Sequence, residues 1–217
     1  MNIEISARLV ATIGQVWAGI RSRNPDVPDV VITVGAGASK NGLTLGHFAA
    51  SAWQSGDDQV SELFVGGEGL KSGAEEVLTT LLHEAAHGIA HTRQIKDTSR
   101  QGRYHNEKYR TLANEIGLTV TKSNKLGWSD SELTEATRTE YAAEIQQLAA
   151  VLVAHRRTFA QVEDGGRKNN NGITAECGCP RKIRISRTAY EAGPIICGVC
   201  DSEFIATDAA HGEDSEA

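Results

Sequence analysis

The sequence predicts an α+β fold carrying a small second module, and three observations point there. Long stretches with helical spacing of apolar residues alternate with short β-branched runs. Composition breaks sharply into a polar, asparagine-rich run over 163–172. All 4 cysteines of the 217-residue chain lie beyond position 176. With 40% hydrophobic and 23% charged residues the chain is no disordered polymer, and its first part can bury a core. No run approaches the roughly 18 apolar residues of a membrane span. The N-terminus lacks the charged start, apolar block and small-residue cleavage site of a signal peptide, so a cytoplasmic location with no membrane partner is expected.

Residues 3–20 place Ile5, Leu9, Ile13, Val16, Trp17 and Ile20 on one helical face. Three strands are expected next, over 30–34, 43–53 and 60–65, with a turn rather than a phosphate loop at Gly35-Ala36-Gly37-Ala38. Ser72 and Glu75 fit a capping box, so a helix should run over 73–92. Its packing face is Val77, Leu81, Leu82, Ala85 and Ile89, which leaves the opposite face for chemistry. A polar loop over 94–104 then leads to Asn106, the expected N-cap of a short helix ending at Gly117. Ser129 to Glu132 repeats the capping-box pattern and predicts a long bracing helix to about residue 157. The domains expected are 1–162, a linker over 163–173, a cysteine module over 174–206 and an acidic disordered tail over 207–217.

His83-Glu84-Ala85-Ala86-His87 places two imidazoles one helical turn apart, about 40° from each other around the axis. Such a pair can hold one Zn²⁺, with Glu84 positioned to act on a water without being a ligand. A catalytic zinc needs a third protein ligand. Histidine ten residues after the first is absent, because Arg93 stands there. His91 lies about 12 Å from His83 along a straight helix, too far to share the ion. Glu107 and Glu115 are weaker candidates than His105, which follows a loop long enough to turn the chain back and precedes a new helix. Tyr104 and Tyr109 read as packing aromatics. The strand over 60–65 is the expected partner for an extended substrate.

At these residues the sequence resembles the SprT-like metallopeptidases, which include the Spartan proteases. That family joins an HExxH helix through a polar loop to a third histidine in a His-Gly-x-x-Phe-like segment. Here the segment reads His105-Asn106-Glu107-Lys108-Tyr109. The resemblance runs over about 30–120 and resumes at the cysteines. It implies a zincin-like domain in which His83, His87 and His105 bind a catalytic zinc and Glu84 is the general base and acid for peptide-bond hydrolysis. It also implies a C-terminal zinc ribbon and DNA-associated protein substrates. Two other classes stay open: a non-catalytic module binding nucleic acid or protein through the ribbon, and a zinc hydrolase of a non-peptide amide.

Cys177-Gly178-Cys179 and Cys197-Gly198-Val199-Cys200 are two close pairs with an alternating strand, Lys182 to Arg187, between them. Four thiolates can hold a structural zinc that gives so small a module its folding energy. The net charge of −6 is unevenly spread: −4 over 1–165, +4 over 166–200 and −6 over 201–217. Arg167, Lys168, Arg181, Lys182, Arg184 and Arg187 make the module a candidate for salt-sensitive contact with DNA phosphates.

Overall fold

The structure is a computed structural model and describes residues 4–39, 42–158 and 172–207. It is mixed α+β and divides into two compact units, Met1–Gln161 and Val162–Ala217. Most of the expected linker and tail, 163–171 and 208–217, lies outside the described residues. Among the described residues no helix is long and apolar enough to cross a membrane.

In the first unit, α1 (Glu4–Arg23) buries Leu9, Ile13, Val16, Trp17 and Ile20, while Ile5 stays exposed. The Trp17 indole donates to the Pro28 carbonyl at 3.1 Å, tying the helix to the entry of β1 (Val30–Gly35). A two-residue hairpin, β2 (Ala38–Ser39) and β3 (Gly42–Leu43), follows, then β4 (Gly46–Ser55) and β5 (Asp58–Gly66). The sheet order is β1-β5-β4, with β1 parallel and β4 antiparallel to β5. Val30, Ile32 and Val34 of β1 and Leu63 and Val65 of β5 face the core.

The Gly-Ala-Gly-Ala segment runs from the end of β1 through a two-residue link to the start of β2 rather than forming a regular turn, and the amides of Gly37 and Ala38 are already used. Glu68, fully buried after β5, accepts from Gly37 N at 2.8 Å and Ala38 N at 3.3 Å. Arg156 reaches the same carboxylate at 3.4 Å, while its own amide donates to the Gly67 carbonyl. Burial alone would raise the Glu68 pKa, but those amides and the Arg156 charge outweigh it and hold the carboxyl below its ordinary value.

A 3₁₀ turn (Gly69–Ser72) leads into α2 (Ala74–Thr92). The expected Ser72 cap does not form: Gly73, at φ 95°, is the N-cap and no side chain caps the helix. The left-handed turn at Gly73 reorients the chain before the first helical residue, so Ser72 belongs to the preceding turn. α2 is buried on nearly all sides, with Leu78, Ala86 and Ala90 enclosed alongside the predicted stripe. Its chemical face is therefore half-covered rather than open.

A second sheet has the order β6-β7-β9-β8, built from β6 (Thr98–Ser99), β7 (Tyr104–His105), β8 (Leu118–Ser123) and β9 (Gly127–Leu133). Between β7 and β8 lies α3 (Glu107–Glu115), capped as expected by Asn106, whose side chain accepts from Lys108 N and Tyr109 N. Residues 129–132 are strand, not the start of a long helix. In the strand that contains them Gly127 and Leu133 are buried, and Asp130, Ser131 and Glu132 pair with Thr121, Val120 and Thr119 of β8. The helix that follows is two pieces, α4 (Glu135–Glu140), capped by Thr134, and α5 (Ala142–Val151).

The second unit holds a three-stranded sheet of order β11-β10-β12: β10 (Ile173–Glu176), β11 (Lys182–Ile185) and β12 (Ile205–Ala206). A short α6 (Arg187–Glu191) follows β11. Ala175, Cys177, Cys197 and Phe204 form its small buried core.

Candidate metal centres

Helical spacing puts His83 and His87 on the same side of α2, and β7 delivers His105 opposite them. His105 Nε2 lies 3.2 Å from His83 Nε2 and 3.1 Å from His87 Nε2. The other ring nitrogen of each histidine has its own partner. His105 Nδ1 is 3.2 Å from the Leu126 carbonyl, which can only accept, so the proton sits on Nδ1. His87 Nδ1 is 2.5 Å from the Asp97 carboxylate and donates in the same way. His83 Nδ1 is 3.0 Å from Ser131 Oγ, whose hydroxyl in turn donates to the Ser129 carbonyl. With these tautomers, assigned from the hydrogen-bond network, three Nε2 lone pairs converge on one point.

Three facing lone pairs repel unless a cation lies among them. A tetrahedral ion with Zn–N of about 2.0 to 2.1 Å requires ligand nitrogens roughly 3.3 Å apart, close to the spacing here. The residues present therefore fit a zinc ion held by nitrogen. Asp97 and Ser131 play the part of partners that fix imidazole orientation and raise basicity. Burial, then the neighbouring His87 and His105, push His83 well below its ordinary pKa. Burial also lowers His105, whereas at His87 the Asp97 and Glu84 carboxylates outweigh burial and raise it.

Tyr109 packs its ring 4.5 to 4.9 Å from all three imidazoles. That is the packing role expected of it. Its hydroxyl is buried without a well-formed hydrogen bond, and burial drives its pKa well above the ordinary value. Tyr104 lies under the Arg100 guanidinium at 4.6 Å.

Glu84 is 5% exposed and borders a cavity of about 470 Å³ lined also by Gly46, Phe48, His87, Asp97 and His105. Burial raises its pKa, opposed by the His87 charge and a hydrogen bond from the Phe48 backbone. A Cβ on Gly46 would sit 2.7 Å from Thr80 Cγ2 and 3.2 Å from Glu84 Oε1, so glycine here lets β4 lie against the carboxylate. Gly127 is equally constrained. At φ 74° a Cβ would come within 2.1 Å of the His105 carbonyl oxygen, at the bridge that joins β7 to β9.

Strand β5 is not the free edge expected for a substrate, because β1 and β4 flank it on both sides. The edge that borders the cavity belongs to β4, at Gly46, His47, Phe48 and Ala50. His91 and Glu115 stand outside the histidine cluster; Glu115 is paired with Arg93 at 2.7 Å, and Glu107 takes the Trp128 indole N–H. The residues missed in the sequence are Asp97, Ser131, the Leu126 carbonyl and Gly127. Only Gly127, an isolated glycine inside a strand pattern, carried a visible signal.

In the second unit the four cysteine thiols are free and their sulfurs lie within 4.8 Å of one another. Cys177 and Cys179 are 3.4 Å apart, and Cys179 and Cys197 3.8 Å. Zn–S bonds of about 2.3 Å place tetrahedral sulfurs about 3.8 Å apart, so this group too fits a metal. The Ser202 hydroxyl and amide lower the Cys200 pKa, while the adjoining Cys177 and Cys200 raise that of Cys179. Four sulfurs this close cannot all ionise without a cation. Of the described basic residues nearby, Lys182 pairs with Glu176, Arg187 with Glu191, and Arg181 points at Cys197 Sγ. Arg184 has neither an ion pair nor a side-chain hydrogen bond among the described residues, so of these four cations it is the one left uncommitted; Arg167 and Lys168 lie outside the described residues. No model of a protein family, no curated protein and no solved structure matches the chain.

Proposed function

We propose that the first unit is a zinc-dependent metalloendopeptidase, zincin-like in its architecture, and that the second is a zinc ribbon. The observation that carries the reading is the convergence of three Nε2 lone pairs beside a buried carboxylate, on a cavity bordered by a free strand edge. His83, His87 and His105 would hold the catalytic ion, and the four cysteines a structural one. The catalytic ion supplies Lewis acidity, which polarises a carbonyl and acidifies a water. Glu84 takes the water proton on a carboxylate oxygen and returns it to the leaving amine. Its burial beside Gly46 keeps that carboxylate from solvating freely. The β4 edge orders an extended peptide by backbone hydrogen bonds, which favours a peptide substrate over a small amide.

The sequence resemblance extends the proposal to proteins bound to DNA, with Arg184 and the basic residues before β10 meeting phosphate. The zinc-loaded chain should fragment casein, tested with and without single-stranded DNA. Glu84→Gln should keep both zinc ions and lose turnover by about 10²- to 10⁴-fold. Turnover retained in that variant refutes the mechanism. Zinc retention with cleavage of small amides alone would move the chain to the non-peptide class.

A further inference from the structure

A second cavity of the first unit, about 720 Å³, is distinct from the one at the histidines. It lies beyond them along β4, and His91 and Ile95 line both, so the two adjoin. Its opening has a local cause. On β4, Ala49 pairs with Glu62 and Trp53 with Val60, so Ala50, Ser51 and Ala52 together oppose the single residue Ser61. Ser51 adopts φ 53°, rare for a residue with a side chain, and its amide turns to Ser61 Oγ at 3.3 Å. This bulge lifts the strand off β5 where the C-terminal end of α2 passes, and a hollow results.

The walls are mixed: Ser51, Gln59, Ser61, Thr92 and Gln94 stand beside Pro28, Val60, Ala90 and Ile95. The lining includes one acidic side chain, Asp29, and one basic one, Lys96. Asp29 is already neutralised, with Arg21 at 3.2 Å and the Val30 amide at 3.0 Å. Lys96 is exposed and has no ion pair among the described residues. The net free charge of the hollow is therefore positive.

Resting on the peptidase reading, we infer that this hollow is a specificity subsite for an acidic side chain of the substrate, glutamate or aspartate, with Lys96 as its determinant. A strand rises about 3.3 Å per residue, and counted on the unbulged β5 Ser51 lies opposite Ser61, about 7 Å beyond Phe48 and about 13 Å beyond Gly46, which abuts Glu84. A peptide lying along β4 places the acidic residue about two to four positions from the bond addressed by Glu84. The polar rim offers hydrogen bonds to the second carboxylate oxygen. An apolar or neutral side chain can use Pro28, Val60, Ala90 and Ile95 but leaves Lys96 unpaired.

The test walks a single glutamate, against glutamine and lysine, through a neutral quenched peptide and measures kcat/KM with the zinc-loaded full chain. In parallel, the same peptides carrying a dye are bound to zinc-loaded Glu84→Gln and followed by anisotropy. Glutamate should be favoured about fivefold over glutamine at one position on one side of the bond, the upper range for a partly exposed ion pair. Lys96→Glu should invert the preference toward lysine, and salt should weaken the wild-type preference. Cleavage with no charge preference, or a preference unchanged in Lys96→Glu, overturns the subsite and leaves the peptidase reading standing. A binding preference that Lys96→Glu inverts, without any cleavage, supports the subsite and refutes the hydrolytic reading. Neither binding preference nor cleavage overturns both.

Discussion

Asp97 gives the sharpest test of how the histidine centre is built. Its carboxylate meets His87 Nδ1 with both side chains largely buried, 13% and 17% exposed, so solvent screens the pair weakly. With Nε2 presented to a metal the imidazole is neutral, so Asp97 acts through the Nδ1–H hydrogen bond it accepts, which orients the ring and raises its basicity. Loss of such a partner ordinarily costs 10- to 100-fold in metal affinity, about 1.4 to 2.7 kcal/mol. Asp97→Asn keeps an acceptor oxygen and loses the charge, so it should sit near tenfold; Asp97→Ala loses both and should approach a hundredfold. Competition against a chromophoric chelator reads this directly, with zinc bound at the proposed four-cysteine site of the same chain as internal standard. Cobalt substitution adds a spectroscopic check, since a reoriented imidazole changes the visible bands of the nitrogen site and not those of the sulfur site. Both variants binding the nitrogen-site metal as tightly as wild type, while folded, would refute the reasoning.

The remaining expectations concern the supports of the two centres. Gly127→Ala places a methyl against the His105 carbonyl at a left-handed φ, so it should cost about 3 kcal/mol or more and reduce zinc stoichiometry from two toward one. Wild-type melting with both ions retained would contradict it. Glu68→Gln should lower stability by about 2 kcal/mol at neutral pH, because the buried carboxylate accepts two amides and faces Arg156. Its folded pKa lies below the ordinary 4.5, so this contribution is full above that value and is lost as pH falls through the folded pKa. The urea-midpoint difference between wild type and variant should therefore shrink below about pH 4.5; a difference constant from pH 7 to 3 would be inconsistent. Cys197→Ser should release one zinc ion and unfold the second unit, leaving the nitrogen site loaded.

Local signals carried the fold where a segment's own residues decide its conformation. The apolar spacing of α1 and α2 and the Asn106 cap of α3 were legible for that reason. The same kind of signal misled at Ser72 and at Ser129, where serine stands three residues before glutamate without opening a helix. At Ser129 the outcome is set by β8: Leu118, Val120 and Leu133 close one buried face only when the two strands pair. A capping pattern cannot report a partner ten residues upstream. Nor could chain order show that β1, not open solvent, covers the second edge of β5.

The site divides along the same line. Two imidazoles at a spacing of four residues are a property of any helix, so His83 and His87 could be read from the sequence alone. What makes them candidate ligands is which nitrogen each presents, and three separate segments set that choice. Asp97 comes from the loop after α2, Ser131 from the middle of β9, and the Leu126 carbonyl from the turn before β9. Each takes an Nδ1 proton and thereby turns an Nε2 lone pair inward. β9 and the turn that leads into it therefore aim two of the three candidate ligands, although they contribute none. The bridge between His105 and Gly127 places β7 in contact with that strand, and only a residue without a Cβ allows the contact. The second sheet is thus the frame of the candidate centre: the helix supplies two of its three histidines, the pairing of β7 with β9 places His105, and Ser131 of β9 orients His83.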